Sequence, residues 1–417
     1  MKNQFVKHVL TLMKGTAIAQ FLPILISPIL TRIYTPEQFG LFAIYIAIIS
    51  VLTPIISGRY ELAIALPKDE RKALALFYLT FLINICVTLV TVIIVMSWGQ
   101  IIMKVMSLQD ENLLYLLPIG LFLTGLLSSF TYLNNRWGRF DSLAHSKISQ
   151  SIGMAIAQMV IGLAKLGSLG LLIGYCFGQV ASLISLNKKA EIPMMFKKER
   201  IHKNTLVLVG KEYNEFPKYA MITHSTEALS ANIPSFLLSK FFGTQFTGYY
   251  SLTTRTISLP LSLIGKAVGD VFLSTASKLY REQGECKELY KKTFKVLALI
   301  PIIPFVLMLF FAEELFSFVF GEEWGIAGTY TKILLPALYL QFISNPLSHM
   351  FVIAKKIKIE FLIQFIILIL SILAFVVGYF YFKSSLTSLL MFSGVLVLKY
   401  IIFIVLSYKF SQANQPK

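Results

Sequence analysis

The residues most able to do chemistry lie inside otherwise apolar runs. In the eighth such run of this 417-residue chain, Ser251, Arg255, Ser262, Lys266 and Asp270 follow one another at i, i+4, i+11, i+15 and i+19, with Ser258 bordering the row. Eleven residues make about three helical turns, so Arg255 and Lys266 share a face. A charge at mid-bilayer costs about 2.5–3.5 kcal/mol on insertion scales. Such a face is therefore expected to look into a helix bundle or a watery cavity, where two cations suit an anionic solute. The alternative for Lys266 is to snorkel to the surface and pair with Asp270.

Other polar groups extend the list. His224 and Glu227 stand one turn apart in the seventh run, below Ser230 and Asn232. Both can change charge near accessible pH when burial raises a carboxylate pKa, so with Asp270 they are candidates for ion coupling. A structural ion pair is the competing reading. At the end of the second run, SGRYELAIALPKDERKA places Arg59 and Glu61 at the interface, as anchors or as contacts to substrate and coupling ion respectively. Lys399, in the last run, either snorkels or faces the cavity. Gln341, Asn345 and His349 form an i, i+4, i+8 row, and Tyr175, Gln179 and Ser182 a weaker one. Each row suits interhelical hydrogen bonds or contacts to a sugar. No third ligand of suitable spacing joins His224 and Glu227. The sequence holds no phosphate-binding P-loop, G-x-S-x-G, H-E-x-x-H or G-x-G-x-x-G. No catalytic residue, metal or cofactor is therefore expected, and the chain is not expected to be an enzyme.

The elements that carry these residues are legible from composition. Hydrophobic residues make up 56% and charged residues 14%, against about 25% charged in soluble domains; the mean hydropathy is +0.71. An all-α polytopic membrane protein follows. About twelve spans are expected near 9–31, 38–58, 74–97, 113–133, 144–164, 168–187, 217–239, 246–270, 294–319, 327–353, 359–381 and 386–407. The first run lacks a cleavage site and is expected to remain as a span. The three cysteines suggest neither a disulfide framework nor a zinc site.

Charge placement supplies orientation. With both termini in the cytoplasm, most of the 38 Lys and Arg fall on inner segments. The outer side holds Arg32, Lys104, Lys165, Lys240, Lys332 and Lys383. The net charge of +17 thus reads as positive-inside bias, not as a nucleic-acid surface.

The chain also repeats itself. LTRIYTPEQFGLF at Leu30–Phe42 returns as LSKFFGTQFTGYY at Leu238–Tyr250, an offset of 208, with Arg32 matching Lys240 and Gly40 matching Gly248. A repeat of half the chain length marks a duplicated transporter. Six spans per half return the chain to its starting side, so the halves are expected to be parallel repeats. Residues 1–190 and 213–417 would form two six-helix lobes, joined by a basic cytoplasmic linker at 191–212. In and near that linker, Ile192–Met195 and Leu206–Val209 are expected in a solvated connector or on the lipid surface.

The stretch from Lys211 to Glu282 carries Tyr213, Phe216 and Pro217, then Gly248-Tyr249, Leu259-Pro260-Leu261, Gly265 and Val271-Phe272. In these motifs, and in LTRIYTPEQFGLFA and GRYELAIALPKDERKA of the first half, the chain resembles the Wzx-type polysaccharide flippases. The resemblance runs over nearly the whole length. It implies the MATE-like fold of the multidrug, oligosaccharidyl-lipid and polysaccharide exporter superfamily, with a cavity opening alternately to each side. The implied substrate is a polyprenyl-pyrophosphate-linked oligosaccharide for O antigen or another surface polymer. The implied setting is the bacterial inner membrane, among lipids and near a polysaccharide polymerase and glycosyltransferases. Cationic side chains can neutralise pyrophosphate, so Arg255, Lys266, Arg59 and Lys399 are the substrate-binding candidates. Glu227, His224, Asp270 and Glu61 are the ion-coupling candidates.

Three rivals stand beside this reading, two of them transporters of related fold and one a scaffold. A multidrug cation antiporter of the same fold usually places a carboxylate in its first helix, whereas residues 9–31 hold no Asp or Glu. A non-transporting scaffold subunit would need no cationic stripe. Lipid II flippases generally have two further helices.

Overall fold

The computed structural model describes residues 2–106, 108, 110–187 and 202–412, with the side chains of residues 2–14 and 105 left aside. Among these residues the chain is helical, with no strand. Its helices are α1 (Lys2–Ile33), α2 (Pro36–Ser57), α3 (Tyr60–Ala63), α4 (Glu70–Met106), α5 (Asn112–Arg136), α6 (Phe140–Leu163), α7 (Leu169–Asn187), α8 (Lys203–Glu212) and α9 (Met221–Phe242). They continue as α10 (Thr244–Gln283), α11 (Lys287–Leu299), α12 (Ile302–Phe320), α13 (Gly325–Leu347), α14 (His349–Ile353), α15 (Ile357–Val377) and α16 (Ser385–Phe410). Ten described stretches are long and apolar enough to cross a membrane. Two further spans expected from the sequence, 144–164 and 217–239, lie in α6 and α9. These are helices of 24 and 22 residues whose polar side chains keep them outside that set.

Exposed apolar surface follows the same division. Leu89, Ile93 and Met96 on α4, Phe310 and Phe318 on α12, and Phe361 and Phe365 on α15 are all exposed. Such broad apolar faces suit hydrocarbon rather than water.

Two compact units divide the chain, Met1–Gly248 and Tyr249–Lys417. In the first, α2 opens with a capping box. Thr35 Oγ1 accepts from the Gln38 N–H at 3.4 Å and Gln38 Oε1 accepts from the Thr35 N–H at 3.2 Å, with Pro36 at the first helical position. Those contacts satisfy helix-end donors and fix where α2 begins. The repeated motif then packs on its own second copy: α2 lies against α9 and the first turn of α10, and Gly40 faces Thr244 and Gly248 backbone to backbone. Helices α6 and α7 pack through small residues, Gly153 on Ala181 and Gly178 on Met154, as membrane helices do when dispersion and shape drive association.

Leu206–Val209, expected in a solvated connector or on the lipid surface, form the middle of α8. Val209 is instead fully buried, in a core with Tyr60, Ile64, Leu74 and Leu133, while Val207 and Leu208 remain exposed. The Tyr60 hydroxyl donates to the Gly210 carbonyl at 2.9 Å, and Lys72 Nζ reaches Glu212 Oε2 at 2.7 Å. Residues 192–195 lie outside the described residues.

The second unit is built on α13. Trp324 just before it, Tyr330 within it, Phe316 of α12 and Phe375 of α15 are nearly or fully buried. Thr253 of α10 donates to the Ala327 carbonyl at 2.8 Å. Tyr249 sets its ring edge-on to Trp324 and Tyr330, at 6.0 and 6.1 Å between centroids.

Candidate functional site

Two of the polar rows meet. A pocket of about 260 Å³ lies between α10 and α13–α14, with Ser258, Ser262 and Lys266 on one wall and Gln341, Asn345 and His349 on the other. Both walls step by four residues, so each presents one helical face. Leu261, Leu338, Phe342 and Pro346 complete the lining. Gly269 lets the walls approach: a Cβ there would stand 3.1 Å from His349 Nε2.

The hydrogen-bond pattern separates this row from the one in the sixth span. On α7, Tyr175 bonds Thr124 at 2.9 Å, and Gln179 bonds Gln150 at 3.2 Å and Thr124 at 3.3 Å. Gln179 and Ser182 are buried, so that row is an interhelical seam. The side chains of Ser258, Lys266, Gln341, Asn345 and His349, by contrast, make no hydrogen bond or ion pair among the described residues. Ser262 Oγ donates to its own helix, at Leu259 O. The pocket therefore gathers an ammonium, two carboxamides, an imidazole and a serine hydroxyl with free hydrogen-bonding capacity. That set suits an anionic or polyhydroxylated solute. Its volume falls just under the roughly 300–1,000 Å³ of drug-sized sites, enough to seat part of an oligosaccharide.

The remaining predicted residues are distributed elsewhere. Arg255 is half-buried on α10, one turn before Ser258 and outside the pocket lining, with Pro260 between it and Lys266. Asp270 is exposed, and no ion pair joins it to Lys266 among the described residues. Lys399 places its ammonium 5.3 Å from the Tyr400 ring and 5.6 Å from the Phe403 ring, within electrostatic reach of Glu360. His224 Nδ1 donates to the Ala220 carbonyl at 2.7 Å, which leaves Nε2 for another partner. Glu227 is exposed on the same helix without an ion pair to His224 among the described residues. Ser230 and Asn232 bond backward to carbonyls of α9.

Arg59 and Glu61 do meet, Nη1 to Oε1 at 3.2 Å, with the carboxylate fully buried and the guanidinium 18% exposed. Helix α2 ends on Gly58 in the left-handed region, and Arg59 follows there as well, at φ 59°. This conformation is uncommon for a residue with a side chain. It turns Arg59 toward the carboxylate two residues on. Ser57 Oγ, Arg59 Nε and Glu61 Oε2 are buried without a hydrogen-bond partner among the described residues. Arg136, which was not singled out from the sequence, clamps the following loop. It donates to Ile64 O at 3.1 Å and Pro67 O at 2.7 Å and pairs with Glu70 at 3.1 Å. Trp137 Nε1 donates to the same carboxylate at 2.6 Å. Glu212 lies outside the spans, and the hydrogen bond from Lys72 holds its carboxyl below the usual carboxylate range.

Residues 29–328 match the profile of the family described as "Polysaccharide biosynthesis protein". The chain belongs to that family. The chain is similar to the teichuronic acid biosynthesis protein TuaB of Bacillus subtilis (strain 168), 22% identical over 57% of this chain and 49% of that protein. The succinoglycan biosynthesis transport protein ExoT of Rhizobium meliloti (strain 1021) is 21% identical over 72% of this chain and 59% of its own length. The matches thus span between about half and under two thirds of these relatives. The fold is shared with the lipid II flippase MurJ in an inward closed conformation, with a TM-score of 0.72, 16% identity, 97% of this chain and 87% of that one. It is shared also with an inward-facing multidrug resistance MATE family transporter of the MOP superfamily, with a TM-score of 0.59, 12% identity, 95% of this chain and 93% of that one. This member of the polysaccharide biosynthesis family is therefore a multi-pass all-α membrane protein of the MurJ and MATE fold.

Proposed function

We propose that the chain is a flippase and not an enzyme. It moves polyprenyl-pyrophosphate-linked oligosaccharide units across the bacterial inner membrane by alternating access, for O antigen or another surface polysaccharide. The observation that carries this reading is the pocket where Lys266 faces Gln341, Asn345 and His349 with their hydrogen-bonding groups free. Family membership supports it, as does the similarity to the succinoglycan biosynthesis transport protein ExoT and the lipid II flippase MurJ. In this reading Lys266 neutralises pyrophosphate or an acidic sugar, and the amides and imidazole bond to glycan hydroxyls. Arg255 and Lys399 contribute positive potential along the path, while Arg59 stays in its pair with Glu61. His224, Glu227, Asp270 and Glu61 are the coupling groups. The lobes are 1–190 and 213–417 about the linker 191–212, with both termini cytoplasmic. The polymerase and glycosyltransferases of the same polymer are the partners. A cationic drug is a poor fit to a pocket whose lining holds a lysine and no carboxylate.

The test is complementation of a flippase-deficient strain that carries the glycan genes matched to this protein. The well-expressed wild type restores surface polymer, Lys266→Arg retains much of it, and Lys266→Ala loses tenfold or more. That loss is the order expected for one charge-assisted hydrogen bond of about 1.5–3 kcal/mol. Arg255→Ala and Arg255→Lys at equal expression place that residue. No polymer from a well-expressed wild type would overturn the assignment, and full transport by Lys266→Ala would remove Lys266 from the site.

A further inference from the structure

A second and larger cavity in Tyr249–Lys417, of about 730 Å³, lies between α11 and the last turns of α16. Lys291, Lys292 and Lys295 line it beside one carboxylate, Glu288, and its floor is Phe294, Ile404 and Val405. Its frame is fixed from both ends. The Tyr290 hydroxyl donates to the Ile404 carbonyl at 2.8 Å, and its ring lies 5.6 Å from that of Tyr408. The Cys286 N–H donates to the Ser411 carbonyl at 2.8 Å.

The charges are unevenly used. Glu288 holds Lys291 at 3.0 Å, while Lys292 and Lys295 make no ion pair among the described residues. Beyond Lys295 the exposed residues of this helix and its junction turn apolar, with Val296, Leu299 and Ile300 all exposed. The lysines therefore stand at the level where a polar surface gives way to hydrocarbon, above an apolar groove. A ligand that matches both halves has a phosphate at one end and an acyl chain at the other. A zwitterionic headgroup brings its own cation against the lysines and fits less well.

We propose that this groove is a binding site for an anionic phospholipid, its phosphate held by Lys292 and Lys295 and an acyl chain lying along Ile404 and Val405. Basic residues near a headgroup contribute about fivefold in affinity each, so the pair contributes about 25-fold. The site is separate from the Lys266 pocket and does not depend on what that pocket carries.

The experiment titrates the purified full-length protein with phosphatidylglycerol or phosphatidylcholine and counts bound lipid by native mass spectrometry. Phosphatidylglycerol is expected to bind about tenfold or more tightly. Lys292→Gln with Lys295→Gln removes that preference and leaves phosphatidylcholine binding unchanged. Lys278→Gln with Arg281→Gln, outside the groove, leaves both unchanged. Lys292→Arg with Lys295→Arg retains the preference and keeps the test valid should the glutamine pair fold poorly. Equal binding of the two lipids, or full preference in the glutamine pair, would overturn the proposal. Displacement of the lipid by millimolar inorganic phosphate would do so too, since a soluble anion gains nothing from the apolar floor.

Discussion

Replacing Gly40 by alanine should open the seam between α2 and the start of α10. A Cβ there would meet the Thr244 carbonyl oxygen, with the carbonyl carbon at 2.6 Å and Gly248 N at 3.1 Å. The relation is reciprocal. A Cβ on Gly248 would meet the Pro36 carbonyl oxygen, with its carbon at 2.9 Å and Gly40 N at 3.2 Å. Favourable non-bonded separations are about 3.5–4.0 Å, and the obstacles are backbone, so no rotamer change relieves them. The helices must separate by roughly an ångström, and overpacking of that kind costs about 1–3 kcal/mol. Alanine returns up to about 1 kcal/mol through helix propensity. The net expectation is a loss of about 1–2 kcal/mol at each site.

Gly394 of α16 has nothing within 4 Å of its would-be Cβ, so Gly394→Ala keeps only the propensity gain. Once the seam has opened for one methyl, the second finds room, so Gly40→Ala with Gly248→Ala should cost less than the sum of the single changes. Thermal unfolding of the purified variants measures this, with polymer complementation alongside. Unchanged melting in Gly40→Ala, or strict additivity of the pair, would refute the close backbone approach.

Arg59→Ala strands a fully buried carboxylate and should cost about 3–5 kcal/mol, more than Glu61→Gln. Arg59→Ala with Glu61→Ala should recover part of that loss, as read from melting of all three variants. Because the Glu212 carboxyl is held below its ordinary range by Lys72, its contribution is present above the unfolded-state pKa and lost as pH falls through the depressed folded value. The melting difference between wild type and Glu212→Gln should therefore shrink on acidification, and a difference that grew would count against the contact. Burial first, then the Glu285 charge, raises the Cys286 thiol to about 11. Since the thiolate is the reactive form, Cys286 in a Cys86→Ala, Cys176→Ala background should resist maleimide at pH 7 until the protein unfolds.

The helical membrane class was readable because apolar runs and basic loops are one-dimensional signals. The Gln341 row was visible as a four-residue period, and Lys266 as part of a row with Arg255, Ser262 and Asp270 that Ser258 bordered. Their meeting across one pocket was not, because period says which face a residue occupies and nothing about which helix lies opposite. The same limit explains α7, whose row looked equivalent but is consumed by Thr124 and Gln150. It explains Val209 too, a short apolar stretch beside a basic segment whose burial depends on a hydroxyl 150 residues earlier in the chain. Arg136 gave no signal because a basic residue at a helix end also reads as an interfacial anchor.

The repeat explains why the pocket belongs to one half. Carried back by 208 residues, the α10 positions Ser258, Arg255, Ser262 and Lys266 fall on Ser50, Ala47, Pro54 and Gly58 of α2. The shared part of the pattern is the glycine that permits backbone contact, Gly40 and Gly248, and it lies in the first turns of each helix. The divergent part begins beyond it. Helix α2 stops in the left-handed turn at Gly58, so its charges, Arg59 and Glu61, leave the helix and neutralise one another. Helix α10 continues through the equivalent position to Gln283, and there Lys266 stays on a helical face without an ion-pair partner among the described residues. Both copies of the motif carry the glycine of one packing surface, and Lys266 falls where α10 continues and α2 has already ended. Extending α2 by Gly58→Ala would place a side chain with no polar group where α10 has its lysine. The expected outcome is a damaged Arg59–Glu61 turn and no new transport activity, which separates the architectural role of the repeat from the chemistry of its second copy.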